Sequence, residues 1–136
     1  MGLTQVKWQT CSILAVLFGG CHVDVIPDRD LTYSAIGETF FRIHLYAKAN
    51  GTLPPSLNLL PERSGYTNQI TDAWHRPLAY DIDADGILTI RSLGQDGAVG
   101  GSGDDGDIVV KYRGRDGTGK VIAGQELWVV DGEIKQ

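Results

Sequence analysis

The chain has 136 residues, enough for one domain with a modest core. An apolar fraction of 42% and a charged fraction of 21% are those of a folded globular protein and exclude disorder throughout. A net charge of −5 lacks the basic surface that nucleic acid recruits, and it suits a cation ligand. Eighteen glycines, most of them after Gly86, predict turns and short strands in the C-terminal half.

Lys7 is the only charge in Met1 to Gly20, and Cys11 to Gly20 (CSILAVLFGG) is weakly polar to apolar throughout. A bilayer core needs about 20 apolar residues in a helix, so this run is too short to span one. It fits the apolar part of an export signal behind a basic start. The run closes on Leu17-Phe18-Gly19-Gly20-Cys21, which resembles a bacterial lipobox with Phe18 in place of the usual leucine. The expectation is a lipoprotein-type signal peptide over 1–20, with Cys21 lipidated and tethering the protein to the membrane. A plain export signal and a buried N-terminal segment are the alternatives. Cleavage at Cys21 removes Cys11 and leaves no disulfide partner.

Residues 21–30 read as a polar linker around Pro27. Asp30 is placed to cap a helix starting at Leu31, with its carboxylate near the positive end of the dipole. Ile36, Phe40, Ile43 and Ala47 recur at helical spacing, and Phe40, Phe41 and Ile43 are read as core. Asn50-Gly51 supplies a left-handed stop, and Pro54-Pro55 bars continuation. Leu57, Leu59, Leu60 and Tyr66 are expected to fold back over that core from an irregular stretch.

From Leu78 the period changes to two. Leu78, Tyr80 and Ile82 alternate with polar partners, as do Leu88 and Ile90, and Asp85-Gly86 between them signals a hairpin. Ile108 to Tyr112 reads as a third strand. Val121-Ile122 and Leu127 to Val130 suggest another hairpin, with Asp131-Gly132 as a final turn. The fold class predicted is α+β, an N-terminal helix packed on a small antiparallel sheet. Its domain runs over 31–112, followed by a C-terminal β extension over 113–136.

The stretch Ser92 to Asp107 (SLGQDGAVGGSGDDGD) holds Asp96, Asp104, Asp105 and Asp107 and no cationic residue. Calcium takes about six to eight oxygens, and a flexible loop can supply them. Glycines let carbonyls as well as carboxylates turn inward. Four like charges so close are unfavourable unless a cation or water screens them. Asp and Gly are also common turn residues, so composition leaves a solvated acidic loop equally open.

The order of segments distinguishes the two. Thr71-Asp72-Ala73-Trp74, Pro77-Leu78-Ala79-Tyr80, Ser92 to Gly97, Gly100-Gly101 and Asp104 to Ile108 follow one another in the sequence. This order resembles the C-terminal half of the G-type major pseudopilin of type II secretion. Ile36 to Leu57, with Tyr46, Asn50-Gly51 and Pro55, is similar to that family's helix and its exit. The resemblance covers roughly Leu31 to Tyr112. It implies a non-enzymatic structural or accessory protein linked to type II secretion, facing the periplasm in the bacterial envelope. Other secretion or pilus components are the implied partners. It also implies a calcium ion held by the Leu93 carbonyl and Asp96, with Asp104, Asp105 and Asp107 as the remaining candidate ligands. The alternative is an envelope lipoprotein binding module that uses such a domain outside secretion.

Two departures stand out. His75-Arg76 occupies the place of the family's Gly-Asn, which is expected to change a turn and leave the calcium loop alone. The N-terminal part shows neither the family's cleavage motif nor its long apolar helix, because Ala35 to Ala47 carries Glu38, Arg42 and His44. Entry into a filament by the usual route is therefore not expected.

Three further patterns are decoys. Asp81 to Gly86 (DIDADG) starts like an EF-hand loop, but Ser92 stands where a glutamate must close it. Gly114 to Lys120 (GRDGTGK) has the glycines and lysine of a phosphate-binding loop, yet Val121 replaces the Ser/Thr and no helix pattern follows, so no nucleotide is expected. His22, His44 and His75 have no zinc spacing, and no nucleophile–base arrangement is legible.

Overall fold

The computed structural model describes residues 25–122 and 129–132. The segment 1–20 expected to be a signal peptide, Cys21, His22 and most of the Leu127 to Gln136 stretch lie outside them. Helix α1 spans Asp28–Asn50, three residues earlier at its start than the Asp30 cap predicts. Pro27 occupies the cap position, and its carbonyl accepts from the Asp30 and Leu31 amides at 3.0 and 3.1 Å. Proline's fixed φ suits that position, and no side chain is needed to cap it. Asp28 and Asp30 then fall in the first turn, where the dipole favours carboxylates. The other end is as expected: Gly51 adopts φ 69° and donates to the Ala47 carbonyl at 2.9 Å.

Ile36, Ile43 and Ala47 are buried along one stripe of α1, with Thr32 and Thr39 beside them. Phe40 is half-buried and stacks on Tyr112, ring centroids 3.8 Å apart. Phe41 is 43% exposed, contrary to its reading as core. One residue beyond Phe40 is about 100° further around the helix and off the stripe. Leu57 and Leu60 join the core, whereas Leu59 and Tyr66 are 55% and 54% exposed. Leu57–Leu59 is a 3-10 turn, and its three-residue period sends 57 and 60 to one side while 59 faces out.

Buried Arg42 holds the irregular segment to α1. Its guanidinium donates to the carbonyls of Pro61 (2.8 Å), Asn68 (2.9 Å) and Leu60 (3.3 Å). A buried charge is tolerable only when its hydrogens are satisfied, and here three main-chain dipoles do so.

The sheet has four antiparallel strands in the order β1 (Ala79–Ile82), β2 (Ile87–Ser92), β3 (Ile108–Arg113), β4 (Val129–Gly132). The Asp85-Gly86 hairpin forms as predicted, with Tyr80 opposite Ile90 and Ile82 opposite Leu88. Leu88, Ile90 and Ser92 pair with Tyr112, Val110 and Ile108, and all six are buried on the face that meets α1. Each large apolar side chain there contributes about 1.5–3 kcal/mol.

One strand expectation is corrected. Asp131 and Gly132 belong to β4, which pairs with β3 and not with Val121-Ile122. Val121 makes a single bridge to Arg115 because the Asp116 carboxylate curls the chain into a tight turn, accepting from Thr118 and Lys120 amides. The open edge of β3 is thereby left for β4.

Candidate metal-binding loop

The residues 93–107 connect β2 to β3, so the loop hangs from two paired strand ends, Ser92 opposite Ile108. Leu93 is half-buried directly after β2. Asp96 is exposed in the following turn, where its Oδ1 accepts from the Ala98 amide at 2.9 Å. Asp104 and Asp105 are exposed in a 3-10 turn over Gly103–Asp105. Asp107 is half-buried just before β3, and its Oδ1 accepts from the Gly100 amide at 3.2 Å. Cys21, the predicted lipidation site, lies outside the described residues.

Main-chain rungs close the loop. The Gln95 amide donates to the Asp104 carbonyl at 2.7 Å, and the Asp107 amide donates to the Gly100 carbonyl at 3.2 Å. Gly94 has φ 68°, and a Cβ there would stand 2.7 Å from the carbonyl oxygens of both Asp104 and Asp105. Glycine is required at this crossing by conformation and by space. Carbonyl oxygens are thus packed against the first arm of the loop.

The donors present are carboxylates and carbonyls, the hard oxygens that suit calcium and not a soft transition metal. Among the described residues no three Asp, Glu, His or Cys side chains converge as a ready-made metal centre. An ion bound here would need main-chain oxygens and water beside the carboxylates to complete its shell. That donor chemistry fits calcium.

Asp72, Ser92, Arg76 and Arg29, all outside residues 93–107, fix the loop's place, and sequence reasoning gave none of them that part. Asp72 is 3% exposed; its Oδ2 accepts from Ser92 Oγ at 2.7 Å and its Oδ1 from the Arg76 amide at 2.8 Å. Ser92 Oγ in turn accepts from the Gly94 amide at 3.2 Å. Arg76 reaches across to donate to the carbonyls of Gly94 (2.7 Å) and Gln95 (2.6 Å). Arg29, on the first turn of α1, donates to the carbonyls of Gly103 (2.9 Å), Gly106 (2.8 Å) and Asp107 (3.5 Å). The expectation that His75-Arg76 leaves the loop alone is therefore wrong, because Arg76 is bonded to it. His75 takes φ 65°, which explains why glycine suits that position.

The carboxylates of the other two Asp/Gly stretches bond to their own turns. Asp83 Oδ1 accepts from the Asp85 and Ile87 amides at the β1–β2 hairpin tip. The Asp116 carboxyl is held below its ordinary range by the Thr118 hydroxyl and amide, despite slight desolvation, with Lys120 adding to the effect. A groove of about 750 Å³ opens elsewhere, between α1 and residues 63–75. On its wall Arg63 lies between the Phe41 and Tyr66 rings, 4.1 and 3.7 Å from their centroids, and pairs with Glu38. That cluster clasps residues 63–66 to α1.

The family profile described as type II secretion system (T2SS), protein G matches residues 44–111, which is 68 of the 136 residues. The chain belongs to the type II secretion system protein G family. The matched region runs from the second half of α1 into β3 and contains the whole 93–107 loop. Protein G membership gives the chain a pseudopilin-related role in type II secretion and a place in the cell envelope, and the family is structural in kind. No curated protein and no solved structure matches the chain. No helix among the described residues is long and apolar enough to cross a membrane.

Proposed function

We propose that this protein G family member is a calcium-stabilised structural or accessory subunit of type II secretion, without enzymatic activity, anchored through lipidated Cys21. The observation that carries the calcium reading is the closed 93–107 loop, which packs the Asp104 and Asp105 carbonyls against Gly94 and holds four carboxylates in fifteen residues. Asp96 and the Leu93 carbonyl are the first ligands, and Asp104, Asp105 and Asp107 are candidates for the rest. Calcium bound only by the folded state adds about 2.7 kcal/mol at a hundredfold excess over Kd. Its role is to hold the loop, and no chemistry passes through it.

Thermal melts test this reading. EDTA is expected to lower Tm and calcium to restore it, while Asp96→Ala removes the response to both. A wild-type melt indifferent to EDTA and calcium sinks the calcium assignment. The anchor is tested by labelled fatty acid, whose incorporation is expected in the wild type and lost in Cys21→Ala. Label that survives the substitution removes Cys21 from the proposal. Secretion ATPase and prepilin peptidase genes beside this one are the expected genomic setting of a machine component.

A further inference from the structure

From the bonding of Arg29 and Arg76, we infer that these two side chains are positioning residues that lock the 93–107 loop closed before any ion binds. This inference rests on the calcium reading for its second half only. The loop carries four carboxylates and no cation of its own, and both guanidiniums come from outside it. Four negative charges against two positive ones leave a deficit equal to one calcium ion.

The two arginines share the work by arm. Arg76 takes the carbonyls of Gly94 and Gln95 on the first arm, and Arg29 takes those of Gly103, Gly106 and Asp107 on the second. The Gln95-to-Asp104 rung joins the two arms between them. The carbonyls of Gly94, Gln95, Gly103, Gly106 and Asp107 are thus engaged by arginine, and the candidate Leu93 carbonyl is not among them.

Arg76 is itself held, not draped. Its amide is fixed by Asp72 Oδ1, its carbonyl accepts from the Asp72 amide at 2.8 Å, and its Nε would lie 2.8 Å from a Cβ at Gly97. The planar fork reaches two successive carbonyls at once, a geometry a lysine ammonium on a flexible stem does not reproduce. Arg29 also lies 5.8 Å from the Tyr33 ring centroid. A loop held this way keeps its shape without calcium, so the ion tightens a preformed site. Loss of the lock makes ordering part of the binding step, and apparent affinity falls by the fraction of closed loop.

The test is amide hydrogen exchange of the full chain in EDTA and in calcium chloride, with titration of calcium by equilibrium dialysis. In the wild type the Gln95 and Asp107 amides are expected to stay protected in EDTA. In Arg76→Ala the Gln95 amide should exchange at least tenfold faster in EDTA and regain protection in calcium. Its calcium Kd should rise at least tenfold. Arg76→Lys keeps the charge and loses the fork, so it should follow Arg76→Ala; full rescue by lysine overturns positioning in favour of simple charge balance. An unchanged far-UV circular dichroism spectrum reports that the variants remain folded, and Arg29→Ala provides a second variant acting on the other arm. Wild-type protection at Gln95 in Arg76→Ala without calcium overturns the inference. So does loss of that protection in the wild type on adding EDTA. If the wild type binds no calcium, the calcium reading fails, and the lock stands or falls on Gln95 exchange alone.

Discussion

Replacing Arg42 with alanine removes the donors that hold residues 60–68 against α1. Three carbonyls, of Leu60, Pro61 and Asn68, lose their partner at once. Each buried acceptor left unsatisfied costs about 1–3 kcal/mol. Water entering the vacated space recovers part of this, and the variant no longer carries the desolvation of a guanidinium that is 4% exposed. A net loss of about 3 kcal/mol follows, a large share of the roughly 5–15 kcal/mol that stabilises a domain. Urea unfolding followed by tryptophan fluorescence measures it. With m of about 1–3 kcal/mol/M, the midpoint should fall by roughly 1–3 M at unchanged slope. Arg42→Lys keeps the charge and the stem but offers one compact ammonium, so it should fall between alanine and wild type. An alanine variant within about 1 kcal/mol of wild type would show that these carbonyls hydrate freely, and the account of Arg42 as the anchor of the segment would fail.

Gly94→Ala meets both a left-handed backbone and two carbonyl oxygens at 2.7 Å, so its melting temperature should drop well below that of Gly51→Ala. Gly51 has the same backbone sign with open space around it, and its substitution should cost only the left-handed penalty of about 1–2 kcal/mol. His75→Gly relieves a left-handed histidine and should raise stability by up to about 1 kcal/mol in denaturant titration, since added freedom of the unfolded chain offsets part of the gain. Burial raises the Tyr112 hydroxyl from 10.0 to about 12, and burial followed by the charge of Asp81 raises Tyr80. Both raised values favour the protonated form in the folded state. Stability is therefore full below pH 10 and lost as pH climbs through 10 toward 12. Tyr112→Phe should flatten that alkaline decline in a series of melts.

Elements governed by local pattern were legible in the sequence. The α1 stripe, the Gly51 stop and the Asp85-Gly86 hairpin each follow from spacing or from a residue with one backbone preference. Phe41 and Leu59 misled because burial depends on which turn geometry carries them, and apolar type alone does not fix that. The span of β4 was missed because its partner is the distant edge of β3, and Asp131-Gly132 carries a turn signal that strand pairing overrides. The loop itself was legible as a cluster of Asp and Gly. Its supports were not, since Arg29 lies 74 residues from Gly103 and nothing local ties them together. Arg76 did leave a trace, as a departure from the family's pattern, but only the fold reveals what it touches.

The placement of the loop on two paired strand ends has a practical consequence. Val99 at its tip is 81% exposed, and the rungs that close the loop join Gln95 to Asp104 and Gly100 to Asp107. Residues inserted between Ala98 and Val99 lengthen the tip without parting β2 from β3 or touching either arginine. This is where a fluorescent or affinity tag can be grafted so that the protein is followed in the envelope while its sheet, helix and acidic arms remain as they are.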